Sequence, residues 1–590
     1  MYTLGLSCFY HDSAAVLLKD GQVVAAAEEE RFSRKKHDSS FPGYSIHFCL
    51  TEEKITLDDI EAVVFYDKPI LKFDRLLETY FSSAPMGLLS FLRSMPVWLK
   101  EKIYFKKMLK DGLKKISNGK KFPPVFFSEH HLSHAASAFY PSPFESAAIL
   151  CIDGVGEWAS ASAWVGSKNN IKPLFEIQFP HSLGLFYSTF TGYLGFKVNS
   201  GEYKMMGLAP YGKPIYKEVI HKNLIALFDD GSFQLNLKYF SFTSEDGMFT
   251  EEFSKLFGQP PRKSEVTISQ FHKDMAASVQ AVTEDVVLHL ANAVKKMSGE
   301  KNLVMAGGVA LNCVANGVLL KSGLFDKVWV QPASGDSGGA LGCALAYYHL
   351  HLKNERTVSA NFQKGSLLGP AFSTAEIKYA LDRHHFQYTE FKNTDDLDVE
   401  LVRDHLNCDR VVGFFQGKME FGPRALGSRS IIGDARSPKM QSIMNLAIKK
   451  RESFRPFAPI VLKEFAPEYF DWEMENESPY MLFTTQTKNK NLPAITHIDG
   501  SARLQVVDRE IHPRIHALLT AFKKETGCPV LINTSFNVRG EPIVCTPIQA
   551  LKCFMSTDMD TLVLENFLLK KTDQPKLVTN VKWESAYAED

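Results

Sequence analysis

No two of the nine cysteines are spaced as CxxC, which argues against a zinc ribbon or a disulfide framework and fits a reducing compartment. No run approaches the roughly 18 consecutive apolar residues of a membrane span. The chain reaches His11 and Asp12 without a basic lead or a cleavage-like site. Neither a transmembrane helix nor a signal peptide is expected, and the expected location is the cytoplasm. Net charge is also missing: 67 basic residues balance 67 acidic ones. That balance gives no support to a nucleic-acid-coating surface and leaves room only for a local basic groove. What remains is a globular composition, 45% hydrophobic and 23% charged, in a chain of 590 residues, too long for one core.

The first chemical signal is HHLSH, residues 130 to 134. His130 and His134 stand at i and i+4, so a helix puts both imidazoles on one face. Such a pair can ligate a divalent metal, and it can equally be two histidines sharing a surface stripe. Asp153 follows at the end of the apolar run AAILCID, where a strand would enter the turn DGVGE. Strand ends of this kind line the functional crevices of open α/β sheets. A second aspartate, Asp336, closes the loop of KVWVQPASGDSGGALG and could join the set from the other half of a cleft, or simply cap a helix.

Taken in order, residues 3 to 28 read as short strands joined by hairpins, with His11 and Asp12 between the first two. A weaker copy at 147 to 166 suggests a duplicated subdomain with a cleft between the copies. The segment EEERFSRKKHD, with Arg31, Arg34, Lys35 and Lys36, has a solvated turn as its plain reading. Residues 69 to 121 become helical and basic; Trp98, Leu99, Ile103, Met108 and Leu109 alternate with lysines, as in a surface helix, a lid or an anion-gripping amphipathic stretch. Residues 180 to 212 mix aromatics and glycines, which suits a pocket floor or close helix packing. The run LVMAGGVALN then turns from strand to helix at Gly307 and Gly308, with Asn312 and Asn316 on one helix face.

Periodicity is lost from 352 to 370, so the domain boundary is placed there: 1–357 and 358–590. A helix with a capping box starts at Ser373 and Glu376. The second half then carries GPRALGSRS, KKRESFRPFAP, SARLQVV and NTSFNVRGEP. These bring Arg424, Arg429, Lys449, Lys450, Arg451, Arg455, Arg503 and Arg539 beside glycines and asparagines, a set suited to trapping a small dianionic phosphate, since arginine pairs with it bidentately.

HDSAA, EEERFSRKKH, HHLSHAASAFY, CIDGVGE, AGGVALN, GPRALGSRS, RPFAP and NTSFN-x-RGEP together resemble the O-carbamoyltransferases of the NodU/CmcH/TobZ family nearly end to end. The resemblance implies a mixed α/β fold: a duplicated, actin/hexokinase-like ATPase-type domain followed by a YrdC-like α/β domain. It implies two steps. Carbamoyl phosphate and ATP give carbamoyl-AMP in the C-terminal domain, and the carbamoyl group then moves to the hydroxyl of a small natural-product acceptor in the N-terminal domain. By motif, a divalent metal, with iron expected and manganese or zinc not excluded, falls to His130, His134, Asp153 and Asp336. Gly154, Gly307, Gly308, Asn312 and Asn316 would border the adenylate. Arg424, Lys449, Arg455, Arg503, Asn537 and Arg539 would hold carbamoyl phosphate. His11 and Lys36 lie in motifs implicated in transfer, with His11 the candidate base.

Three other readings compete. A sugar-kinase-like phosphotransferase explains the glycine turns and duplicated strands but leaves the arginine-rich half without a task. Threonylcarbamoyl-type tRNA modification would call for a broad basic face, and neutral charge weighs against it. A nucleotide-sensing scaffold would have no use for a full set of chemical residues. Nothing in the sequence names the acceptor, and a homodimer is compatible with it.

Overall fold

The computed structural model describes residues 1–83, 105–117, 122–243, 247–264, 266–450, 455–489 and 491–575. Trp98, Leu99, Ile103 and Arg451 therefore lie outside the described residues. The chain divides into two compact units: Met1–Glu29 with Asp38–Phe362, and Glu30–His37 with Gln363–Asp590.

The first unit is built on two sheets of one design. Strands β1 (Tyr2–Ser7), β2 (Ala14–Lys19), β3 (Gln22–Glu28), β4 (Ile60–Phe65) and β5 (Val125–Phe127) run in the order β3-β2-β1-β4-β5. The turn between β2 and β3 is Asp20-Gly21, both at positive φ, as a two-residue hairpin with strand twist requires. After the β9–β10 hairpin strands (Ile225–Leu227, Phe233–Leu235) are set aside, the second sheet repeats the pattern. Its strands are β6 (Ser146–Ile152), β7 (Ala159–Ser167), β8 (Asn170–Gln178), β11 (Asn302–Ala306) and β12 (Lys327–Val330), ordered β12-β11-β6-β7-β8. In each sheet an antiparallel meander of three strands is extended by two parallel ones. This is the duplication expected from the repeated strand-turn-strand units.

The helix Asp336–Ala346 is buried along its whole length. It owes that position to residues without side chains. A Cβ on Gly342 would stand 1.7 Å from the Ser133 carbonyl oxygen of the helix His130–Phe139, and one on Gly5 of β1 would stand 1.9 Å from the Ala340 carbonyl oxygen. On the outer face of the first sheet, helices Gly43–Glu52 and Phe105–Ile116 bury Ile46, Cys49, Leu109 and Leu113. Met108, Leu109 and the lysines of the basic stretch therefore belong, where described, to a helix with one buried apolar face.

The second unit is α/β around a nine-stranded mixed sheet. Its strands are β13 (Thr389–Glu390), β14 (Val412–Phe415), β15 (Arg429–Asp434), β16 (Ala458–Leu462), β17 (Phe483–Gln486), β18 (Ser501–Val507), β19 (Val530–Ser535), β20 (Thr561–Leu564) and β21 (Phe567–Lys570). Their order is β13-β21-β20-β14-β15-β19-β16-β18-β17. The Ser373/Glu376 capping box forms as expected at the helix Thr374–Arg383.

Gly342→Ala forces two helices apart and is expected to cost about 2–3 kcal/mol or more. Gly43→Ala, where a Cβ meets nothing within 4 Å, should stay within about 0.5 kcal/mol of the unchanged chain. Denaturant midpoints check both, and equal midpoints would contradict the packing argument.

Candidate functional site

In the first unit three chain segments deliver four ligand-type side chains to one point. The helix His130–Phe139 starts directly after the loop that follows β5, and His130 and His134 are buried, at 1% and 0% exposure, so they form no surface stripe. Asp153 follows β6, and Asp336 is the first residue of its helix, whose N-cap is Gly335; its carboxylate is not spent as a cap. His130 Nε2 lies 3.1 Å from Asp153 Oδ2, 3.1 Å from His134 Nε2 and 3.6 Å from Asp336 Oδ1. His134 Nε2 lies 3.7 Å from Asp153 Oδ2 and 3.8 Å from Asp336 Oδ1.

One donor atom from each residue falls within 4.8 Å of all the others. Ligands about 2.1 Å from a common ion would stand about 3.0–3.4 Å from one another, close to the spacing found. The donor set of two imidazole nitrogens and two carboxylates fits a divalent metal such as iron, manganese or zinc, and it does not discriminate among them.

The surroundings hold this corner in shape. Tyr66, the residue after β4, donates its hydroxyl to Asp336 Oδ2 at 3.0 Å; burial and that carboxylate push the phenol well up, so it stays a donor. Gly308 N–H donates to Asp153 Oδ1 at 2.9 Å. Gly307, at φ +92°, makes that possible, because a Cβ there would meet the Ile152 carbonyl oxygen at 2.3 Å. The Gly154 carbonyl accepts from the Ser182 hydroxyl at 2.6 Å, which fixes the turn after Asp153. Glu157 accepts from His130 N–H at 2.9 Å and from Lys68 N–H at 2.8 Å, so a carboxylate clamps the first turn of the histidine helix. Burial and the neighbouring Asp67 push Glu157 up to about 7. Burial opposes ionisation of Asp67 as well, but Lys72, 2.9 Å away, and His130 hold it low.

Charge in the corner is shared by proton. Burial alone would depress His130, yet Asp336 and Asp153 lift it to about 9. The same balance lifts His11 to about 9, through Asp336, Asp12 and Asp153; its Nδ1 is 3.0 Å from Asp12 Oδ2 and its Nε2 3.8 Å from Asp336 Oδ2. Asp153 is held well below the carboxylate range, burial being outweighed by its hydrogen bonds to both histidines. His131 goes the other way, to about 3, because burial and the two flanking histidines disfavour its charge. Its Nδ1 lies 2.7 Å from Ser162 Oγ, a core contact outside the ligand set.

Other expected residues are placed differently. Asn312 caps the helix Cys313–Lys321 and bonds Gln280, while Asn316 donates to the Ala310 carbonyl oxygen, so these side chains tie down the turn that bears Gly307 and Gly308. Lys36 is half-buried on the Glu30–His37 segment, which belongs to the second unit. Tyr66 and Glu157 were not singled out from sequence. A polar residue directly after an apolar strand was the available signal for Tyr66, and the turn motif DGVGE for Glu157.

In the second unit the four arginine-bearing segments converge. Asn533 on β19 donates to the Ala425 carbonyl oxygen and to Gln505 Oε1, and Gln505 on β18 donates to the Leu426 carbonyl oxygen. These bonds pin the loop of Arg424 to the strands that carry Arg503 and lead to Asn537. Arg455 is buried, and its carbonyl oxygen accepts from Asn445 Nδ2 at 2.9 Å. Lys449 is buried too. Its Nζ donates to the Ser535 carbonyl oxygen, to Asn537 Oδ1 at 2.8 Å and to the Asn537 carbonyl oxygen at 2.9 Å. Arg424 and Arg503 are half-buried and Arg539 is exposed in the turn after Asn537. Arg429 is a correction to the anion-trap reading. It is fully buried, donates to the carbonyl oxygens of Gln416, Ser428, Pro370 and Gly417, and stacks 3.6 Å from the Phe415 ring centroid, so its fork holds backbone together.

Comparison with known proteins adds family-level findings. The model described as carbamoyltransferase N-terminus matches residues 2–345, and the one described as carbamoyltransferase C-terminus matches residues 403–571. Uncharacterized protein sll1178 of Synechocystis sp. is 52% identical, with all of both chains covered. Nodulation protein NolNO of Sinorhizobium fredii is 38% identical over 95% of this chain and 79% of its own. Nodulation protein U of Rhizobium tropici is 29% identical over 90% of each chain. Among the described residues no helix is long and apolar enough to cross a membrane.

The raised histidines give a measurable linkage. A histidine lifted from its ordinary 6.5 to about 9 stabilises the fold fully below the ordinary value, and that contribution is lost progressively as pH rises from there through about 9. At pH 7 a divalent ion must therefore displace between about one and two protons. Calorimetric titration in buffers of different ionisation enthalpy reads this number, and a buffer-independent heat would refute a protonated corner.

Proposed function

Since this chain belongs to the carbamoyltransferase family, we propose that it is an ATP-dependent O-carbamoyltransferase that works in two steps on a small hydroxylated natural product. Domains at about 1–357 and 358–590 would divide the work. In the second, YrdC-like in this reading, carbamoyl phosphate, ATP and water yield carbamoyl-AMP, pyrophosphate and phosphate. In the first, the acceptor hydroxyl attacks the carbamoyl carbon, the carbamate ester forms and AMP leaves. The observation that carries this reading is that each unit has its own polar centre: a two-histidine, two-aspartate corner in one, a buried lysine among arginine-bearing loops in the other.

The chain's own groups suit the two tasks. Carbamoyl phosphate is a dianion that breaks down in water, and Lys449, Arg424, Arg455, Arg503 and Arg539, with Asn537, would bind it and shield it. Gly154, Gly307 and Gly308 would border the adenylate through backbone, with Asn312 and Asn316 keeping that backbone in place. His130, His134, Asp153 and Asp336 would hold the divalent ion, which neutralises phosphate charge or polarises the carbamoyl oxygen when bound. His11 would take the acceptor's proton. It is an imidazolium while Asp153 and Asp336 are uncompensated, so its base role belongs to the state in which their charge is balanced. Lys36 would act in transfer. A kinase-like reading predicts ADP and a phosphorylated acceptor in place of pyrophosphate and AMP.

With ATP and carbamoyl phosphate supplied, the unchanged protein should release pyrophosphate and form carbamoyl-AMP; absence of both in folded, metal-loaded protein would sink the proposal. Lys449→Ala should lower pyrophosphate release about 100-fold. His134→Ala should keep that step within about threefold while AMP release falls about 100-fold, so the adenylate accumulates. Equal loss of both steps in His134→Ala would contradict the division of labour.

A further inference from the structure

The segment Glu30–His37 is counted with the second unit although the chain on both sides of it builds the first. Its side chains reach two of the arginine-bearing motifs. Arg31 is buried and donates through Nη2 to the Gly422 carbonyl oxygen at 2.9 Å. Phe32 packs against Met419, Ile543 and Cys545. Arg34, at φ +61°, turns its guanidinium into the 537–544 turn. There it donates to the Ile543 carbonyl oxygen at 2.7 Å, the Pro542 carbonyl oxygen at 2.6 Å and Glu541 Oε1 at 2.9 Å.

From Glu541 the bonds continue inward. Its buried carboxylate also accepts from Val538 N–H at 3.1 Å, and its carbonyl oxygen accepts from Asn537 Nδ2 at 2.6 Å. With its amide nitrogen held there, Asn537 presents Oδ1 to Lys449 Nζ at 2.8 Å. One planar fork thus satisfies two backbone carbonyls and a buried carboxylate of a single turn, and that turn orients the residue that orients the lysine.

We infer that Arg34 is a positioning residue for the Lys449–Asn537 centre, acting through Glu541 and the 537–544 turn. Read from sequence as part of a solvated turn, it is instead the outer end of a hydrogen-bonded chain. Its removal takes the guanidinium from the buried Glu541 carboxylate and from the Pro542 and Ile543 carbonyl oxygens at once, and the turn must rearrange to satisfy them. Lysine in its place keeps a charge but, as a point donor, cannot reproduce the fork across three acceptors. The link to carbamoyl phosphate rests on the function proposed above, whereas the ordering of the turn does not.

Two readouts on the full chain test it: hydrogen exchange of the peptide spanning 535–545, and pyrophosphate release with carbamoyl phosphate varied. Arg34→Ala should lose protection in that peptide and raise KM for carbamoyl phosphate at least about tenfold, with kcat changed less. Arg34→Lys should fall between. Unchanged exchange in the peptide, or a KM within about twofold, would overturn the inference; a fall in thermal stability alone, with both readouts unmoved, would make Arg34 a mere staple and overturn it as well. If Arg34→Ala does not fold, Arg34→Lys carries the same two readouts. If the unchanged protein releases no pyrophosphate, the proposed function fails, and the exchange experiment still decides on Arg34.

Discussion

Everything at the histidine corner depends on how near two helices can lie. The helix Asp336–Ala346 passes the helix His130–Phe139 so closely that Gly342 has no room for a β-carbon against the Ser133 carbonyl oxygen. A methyl group there would set the axes apart and carry Asp336 away from the two imidazoles. Glycine costs a helix conformational entropy, and that cost is offset by a contact no other residue permits. The neighbouring Gly339 is used in the same way: its missing side chain leaves space for the Tyr66 ring, 2.6 Å from where a Cβ would be, and Tyr66 then reaches Asp336. A glycine-rich helix start, which reads like a phosphate loop, is here largely a packing device.

The second constraint is electrostatic. Two aspartates and two histidines in a largely buried cluster repel and attract one another more strongly than in water, and the two carboxylates lift His130 and His11 to about 9 against the pull of burial. Tyr66 and the Gly308 N–H each supply a neutral donor to one carboxylate, so neither aspartate relies on charge alone. Glu157 does for the helix what a capping residue would, since Glu129 at the N-cap position makes no side-chain cap. The corner is thus shaped by groups that are not themselves ligands, as outer contacts commonly tune a metal site.

How far the sequence discloses this depends on distance along the chain. The histidine pair was legible because i and i+4 share a helix face, and Asp153 because it ends an apolar strand. The duplicated sheets showed in the repeated strand-turn-strand pattern. Tyr66 was not legible, since its partner is 270 residues away and only the fold brings them together. Arg429 was misleading for the opposite reason. Its type suits anion binding, but a cluster of local carbonyl oxygens claimed it first. The EEERFSRKKHD run looked solvated because the carbonyls that accept from Arg31 and Arg34 lie 391 and 509 positions downstream.

The membership of Glu30–His37 bears on how this chain can be cut and inherited. Where two domains merely follow one another, a gene can break at the linker and each product still carries a whole domain. Here a break after Phe362 would leave the downstream product without eight residues that belong to its unit, stranded near the start of the upstream one. Circular permutation and domain exchange meet the same obstacle. The two units are therefore bound into one reading frame by topology, independently of any affinity between their surfaces.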